Sequence, residues 1–276
     1  LTIKKYFDTI KGYKMSLKLI YENTGLSMAT YDEGYISLVE EAVESGKKRE
    51  IKDGGGSFYV IKNISAPLDV FVYSRDGTIF HAIPFYECRM MGLTAEIEFP
   101  EAGNGLFGEE KTRGFVSAKV YGKNPEAGFF KIYPEAVNAN IYKNAPQSYF
   151  SQKRLKLELN AQTVFESLKV YGDEAEYYSS KPIVPEKAII ALKFIDREET
   201  PAENMPYAHI TGKIHRVENV LNAYTREFFR VISLKTLNDI EICVLSRRPG
   251  AKETDPLKDA GAGRILECDV YFTCRF

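Results

Sequence analysis

The stretch Ile265-Leu266-Glu267-Cys268-Asp269-Val270-Tyr271-Phe272-Thr273-Cys274-Arg275-Phe276 decides the fold class. Leu266, Cys268, Val270, Phe272, Cys274 and Phe276 alternate without a break with Glu267, Asp269, Tyr271, Thr273 and Arg275. Side chains on a strand point alternately to its two faces, so this period of two predicts a long strand with one face in a core and the other in water. Cys268 and Cys274 are then buried, and at roughly 20 Å apart along one strand they cannot bridge each other.

Upstream of it, Tyr207–Val217, Phe228–Leu234 and Ile240–Leu245 read as strands, followed by a polar connector over 246–263. A long first strand with an internal glycine (Gly212), a meander, a long excursion and a final strand suggest a small OB-type barrel. Tyr207-Ala208-His209-Ile210-Thr211-Gly212-Lys213-Ile214, Asn222-Ala223-Tyr224-Thr225-Arg226-Glu227-Phe228 and Gly261-Ala262-Gly263-Arg264-Ile265 resemble the C-terminal module of some uncharacterised bacterial protein families. The resemblance spans residues 207–276 and implies a fold rather than a function. Four strands are clear there. A fifth is either Lys187–Ile195, which reads as a buried strand, or missing.

Residues 196–206 are polar and interrupted by Pro201 and Pro206, which marks a linker between an N-terminal domain over 1–200 and the module over 207–276. In the first part, Ile3, Tyr6, Phe7 and Ile10 recur at helical spacing before Gly12. Met15, Leu17, Leu19 and Tyr21 alternate as a strand. Tyr35–Ser45 reads as an amphipathic helix with Asp32 as N-cap and Gly46 beyond its end. Strands follow over 57–62, 69–74, 78–85, 93–99 and 115–121, with Arg75-Asp76-Gly77 as a hairpin turn. Residues 123–186, punctuated by five prolines, stay open between strand and helix. The fold class is therefore α+β: a strand-rich N-terminal region with two helices near its start, then a small OB-like β-barrel.

With 44% hydrophobic and 27% charged residues the chain has ordinary globular composition. Its 37 Lys and Arg against 38 Asp and Glu create no overall field that selects nucleic acid, anionic membrane or acidic substrate. The four cysteines have no C-x-x-C spacing, which favours free thiols in a reducing cytoplasm. Leu1–Phe7 is interrupted by charges and lacks the pattern of a signal peptide. No stretch approaches the roughly eighteen apolar residues of a membrane span.

The motifs carry little chemistry. Gly103-Asn104-Gly105-Leu106-Phe107-Gly108 matches a dinucleotide fingerprint, but Glu109 and Glu110 would repel a pyrophosphate and a strand follows, so it reads as a loop. Asp53-Gly54-Gly55-Gly56-Ser57 lacks the Lys-Ser/Thr ending of a phosphate loop. No cofactor or metal is expected; His209 and His215 stand too far apart on one strand to share an ion. Cys88, with His81 and Glu87 nearby, is the sole local thiol–imidazole pairing and would support a cysteine hydrolase if Pro84 bent the two together. Glu96 and Glu98 read as the solvated face of a strand. On the C-terminal module Tyr224, Arg226, Arg230 and Tyr271 combine aromatic and cationic groups, as single-strand nucleic-acid binders do. The module's near-neutral charge disfavours that partner and favours a protein or a second copy of the chain. The reading is a cytoplasmic, non-enzymatic binding or assembly module.

Overall fold

The computed structural model describes residues 11–45, 47–50, 56–65, 67–75, 78–88, 92–98, 114–138, 154–180, 185–194 and 203–276. Helix α1 (Lys11–Asn23) occupies the stretch expected to be a strand. Met15, Leu17, Leu19 and Tyr21 fit a period of two, but Leu17, Ile20 and Tyr21 at i, i+3 and i+4 are buried while Leu19 is only partly so. Gly12 lies inside this helix rather than ending one, and the helical pattern over residues 3–10 falls outside the described residues. Helix α2 (Asp32–Ser45) follows where a helix is expected but begins three residues before Tyr35. Asp32 therefore lies with Glu33 inside its first turn, where negative charge suits the helix dipole, rather than at the N-cap.

Four antiparallel strands in sequential order form the first sheet: β1 (Lys47–Glu50), β2 (Gly56–Ser65), β3 (Leu68–Arg75) and β4 (Thr78–Tyr86). Pro84 lies on edge strand β4, opposite Val70, where its missing N–H costs no ladder bond. The segment from Thr78 to Tyr86 stays in its ladder and does not fold back.

The second sheet begins with β5 (Leu93–Glu98), β6 (Ser117–Tyr121), β7 (Phe129–Ile132) and the short β8 (Glu135–Ala136). Next come β9 (Leu155–Thr163), β10 (Lys169–Tyr171), helix α3 (Glu174–Ser180) and β11 (Ala188–Phe194). The last four strands are β12 (Glu203–Leu221), β13 (Phe228–Lys235), β14 (Glu241–Arg247) and β15 (Ile265–Arg275). β9, β15, β12, β13 and β14 pair in that order, all antiparallel, and β14 pairs in parallel with β9 to complete a ring. The fifth strand of the ring is thus Leu155–Thr163. β11 pairs with β12 outside the ring, and its Ile190 is exposed, which corrects the expectation of a buried strand. At Gly212 β12 passes from β11 to β13; a Cβ there would fall 2.5 Å from the Lys235 carbonyl oxygen, so only glycine fits.

Register fixes what the ring encloses. Phe272 and Val244 both stand opposite Ala161, and Ile232 stands opposite Val244. The other parity carries Lys235, Glu241, Arg247, His209 and Asp269, so the row Phe272, Ala161, Val244 and Ile232 faces inward. The alternation of β15 is therefore real, but its second face is largely withdrawn from water, with Asp269 and Arg275 partly exposed. Glu267, Tyr271 and Thr273 are buried; β10 and β8 pair alongside β15, and from them Tyr171 and Glu135 hydrogen-bond Glu267 and Tyr271. α1 packs on β4, β9, β13 and β14 and so joins the two sheets.

Burial pushes the Cys268 and Cys274 thiols well above their ordinary range. Neither is expected to react with a thiol reagent in the native protein, whereas both react after denaturation. Phe272→Asp places an unpaired charge inside the ring and is expected to abolish cooperative unfolding, read by thermal denaturation.

Candidate functional site

The outer face of β13, β14 and β9 is covered by the chain itself. Tyr86, at the end of β4, packs edge-on against Phe229 with ring centroids 5.8 Å apart. The Asn160 side-chain amide donates to the Tyr86 carbonyl at 3.1 Å. Cys88, just beyond β4, hydrogen-bonds the thiol of the buried Cys243, and that contact together with burial holds the Cys243 thiol well above its ordinary range. Tyr21 of α1 donates its hydroxyl to the Ala82 carbonyl at 2.5 Å, fixing the helix against β4.

Cys88 thus meets a second thiol. His81 stands opposite Tyr73, five residues before Tyr86 on one strand, which at strand rise is about 16 Å. Its side chain lies outside the described residues, as do the glycine-rich stretches at 51–55 and 103–108.

Three of the four aromatic and basic residues expected on one binding surface are engaged internally. Tyr271 is buried, donates its hydroxyl to Glu135 at 2.6 Å and meets the Tyr207 ring edge-on at 5.1 Å. Arg230 is buried at the end of the ring in a two-point pair with Asp255, at 2.6 and 2.5 Å, which draws the 248–264 connector over that end. Tyr224 lies against α2; burial raises its hydroxyl pKa, and a hydrogen bond to Glu41 adds to the shift. Arg226 is exposed, with a left-handed backbone at φ 64°. The four share no surface.

A second cluster lies where β12 meets β15. His209 Nδ1 is 2.8 Å from Asp269 and Nε2 is 3.1 Å from Glu267. The Tyr171 hydroxyl donates to the same Glu267 at 2.5 Å, and its pKa is pushed up to about 12, first by burial and then by that bond. Two carboxylates that read as solvated instead hold a histidine between them. His215 is exposed, at the register shift between Ile214 and Arg216. Among the described residues no group of three His, Cys, Asp or Glu side chains is arranged to hold a metal ion.

No family model matches the chain, and no curated protein or solved structure matches it.

Sequence reading missed Asn23, Glu135 and Asp255. Asn23 accepts from the Arg247 amide at 2.7 Å and donates to the Thr163 carbonyl at 2.9 Å, spanning the ends of the parallel pair β9 and β14. None of the three carries a local signal, since each sits in a loop or at an element end and acts on a residue far away in sequence. Asp255→Ala leaves the Arg230 guanidinium buried without its partner and is expected to cost about 3 kcal/mol in chemical denaturation. The double variant Arg230→Met/Asp255→Ala is expected to recover most of that loss.

Proposed function

We propose that the chain is a non-enzymatic binding or assembly module built on an OB-type barrel and working in a reducing, bacterial cytoplasm. Counted from β12, the ring has the strand order of such a barrel with its fifth strand, β9, moved to the front of the chain. All four cysteines are free, in keeping with that compartment. Among the described residues no helix is long and apolar enough to cross a membrane.

OB barrels hold oligonucleotides on the face of their second and third strands. Here those strands are β13 and β14, and Tyr86, Cys88 and α1 occupy that face. Binding of nucleic acid through the barrel is disfavoured on that ground. A cysteine hydrolase is disfavoured too, because a nucleophile needs a base that lowers its pKa, whereas the contact of Cys88 is another thiol.

The observation that carries the assembly reading lies at the tip of the β12–β13 hairpin. Leu221 and Phe228 are direct cross-strand partners and stay 37% and 45% exposed, with the Arg248 guanidinium 5.6 Å from the Phe228 ring centroid. An aromatic, an aliphatic and an arginine grouped in this way match the composition of interface centres. Sedimentation velocity across the micromolar range is expected to show self-association that Phe228→Asp abolishes without lowering thermal stability. A wild-type protein that remains monomeric throughout would count against self-assembly.

A further inference from the structure

The outward side chains of the sheet formed by the start of β9 with β5, β6 and β7 are ordered by register in rows across its strands. Glu96, Lys119 and Lys131 form one row, and Arg154 reaches Glu96 from the start of β9 at 3.4 Å. Lys156, Thr94, Tyr121 and Phe129 form the next. Each of three cations lies over an aromatic ring: Arg154 over Tyr121 at 3.9 Å, Lys119 over Phe129 at 5.8 Å and Lys131 over Tyr133 at 5.4 Å.

Glu96 organises the centre. Its carboxylate accepts from the Tyr121 hydroxyl at 2.9 Å and lies 3.7 Å from Lys119 as well as close to Arg154. The Tyr121 bond is the main cause of its lowered pKa, so it stays ionised and helps hold the Arg154 guanidinium over the tyrosine ring. The other groups stay accessible: Phe129 is 48% exposed, the Lys156 side chain is 80% exposed, and Lys131 is exposed. On the strand face Arg154, Lys119, Lys131 and Lys156 stand against Glu96 and Glu98, and Glu158, paired with Arg275 at 2.5 Å, also lies 3.7 Å from Lys156.

From this arrangement we infer that the β5–β6–β7 face binds single-stranded nucleic acid, at a surface separate from the proposed assembly contact. Bases have two platforms there, the Phe129 ring and the Arg154 guanidinium plane, and the adjacent cationic row lies where a backbone would run. A duplex keeps its bases stacked inside and offers nothing to these platforms. An acidic peptide would satisfy the cations but leave Phe129 and Tyr133 unused.

The test is fluorescence anisotropy of the full chain with a labelled mixed-sequence single-stranded 20-mer, as DNA and as RNA, against the matching duplex and unlabelled polyglutamate. Micromolar binding at low salt is expected for a single-stranded probe, with log K falling against log salt at a slope between about −2 and −3, as three or four phosphate contacts require. Phe129→Ala is expected to weaken binding about tenfold. Lys131→Glu is expected to weaken binding and flatten the salt slope, and Glu96→Gln to strengthen binding by removing a central negative charge. Phe228→Asp, which tests the assembly reading, is expected to leave this affinity unchanged, so the two fail separately. The inference is overturned by no single-strand binding at low salt, by equal binding of duplex or efficient competition by polyglutamate, or by affinities that folded Phe129→Ala and Lys131→Glu proteins leave unaltered.

Discussion

Five strands cannot close into a ring with every neighbour antiparallel: an odd number forces one adjacent pair to run the same way. In this protein that pair is β9 and β14, and much of the architecture follows from placing it. Parallel neighbours cannot be joined by a tight hairpin and need a longer crossover. The chain between β9 and β14 accordingly contains β10, α3, β11, β12 and β13. The pair also needs its ends satisfied where its ladder stops after Gln162 and Leu245, and there the Asn23 side chain bridges the Thr163 carbonyl and the Arg247 amide. A single amide from α1 thus continues the hydrogen bonding of two strands and seats the helix at the end of the ring.

The other junction is electrostatic. Arg275, near the end of β15, meets Asp69 of β3 at 3.0 Å and Glu158 of β9 at 2.5 Å, with Phe85 5.3 Å from its guanidinium carbon. One side chain therefore links the first sheet to two strands of the ring. Asp69 is buried, so the pair is retained at a desolvation cost that an apolar contact would avoid. What the arginine supplies is direction: planar guanidinium geometry fixes how β3 approaches the ring, where apolar surfaces would slide.

Much of the strand content was legible because period-two alternation is local. Residues 228–234, 240–245 and 265–276 match β13, β14 and β15 closely, and 69–74 and 78–85 match β3 and β4. Two errors share a physical origin. Met15–Tyr21 is short enough to fit both periods, and only packing against β4 and β9 chooses the helical one. The Glu267 parity reads as solvated because a charge every second residue is the ordinary mark of water, yet Tyr171 and His209 provide it with partners from distant strands. The fifth strand of the ring lay hidden in Leu155–Thr163, where Leu157, Leu159 and Ala161 alternate plainly but nothing local says which strands they join. The outward-pointing aromatics Tyr121 of β6, buried beneath Arg154, and Phe129 of β7 were likewise visible as residues and invisible as a row, since such rows exist only across strands.

The position of β9 ahead of its ring partners also sets a timetable. Synthesis proceeds from the N-terminus, and β9 leaves the ribosome well before β14 and longer still before β15. Until Leu245 emerges β9 has neither of its ring neighbours, and until Arg275 emerges it still lacks one; a strand with an open edge invites pairing with another chain. Its own sequence tempers that exposure: Lys156, Glu158, Asn160 and Gln162 occupy the parity opposite Leu157, Leu159 and Ala161. The charged and amide side chains that later lie against the first sheet or stand in solvent therefore serve earlier as guards on a waiting strand.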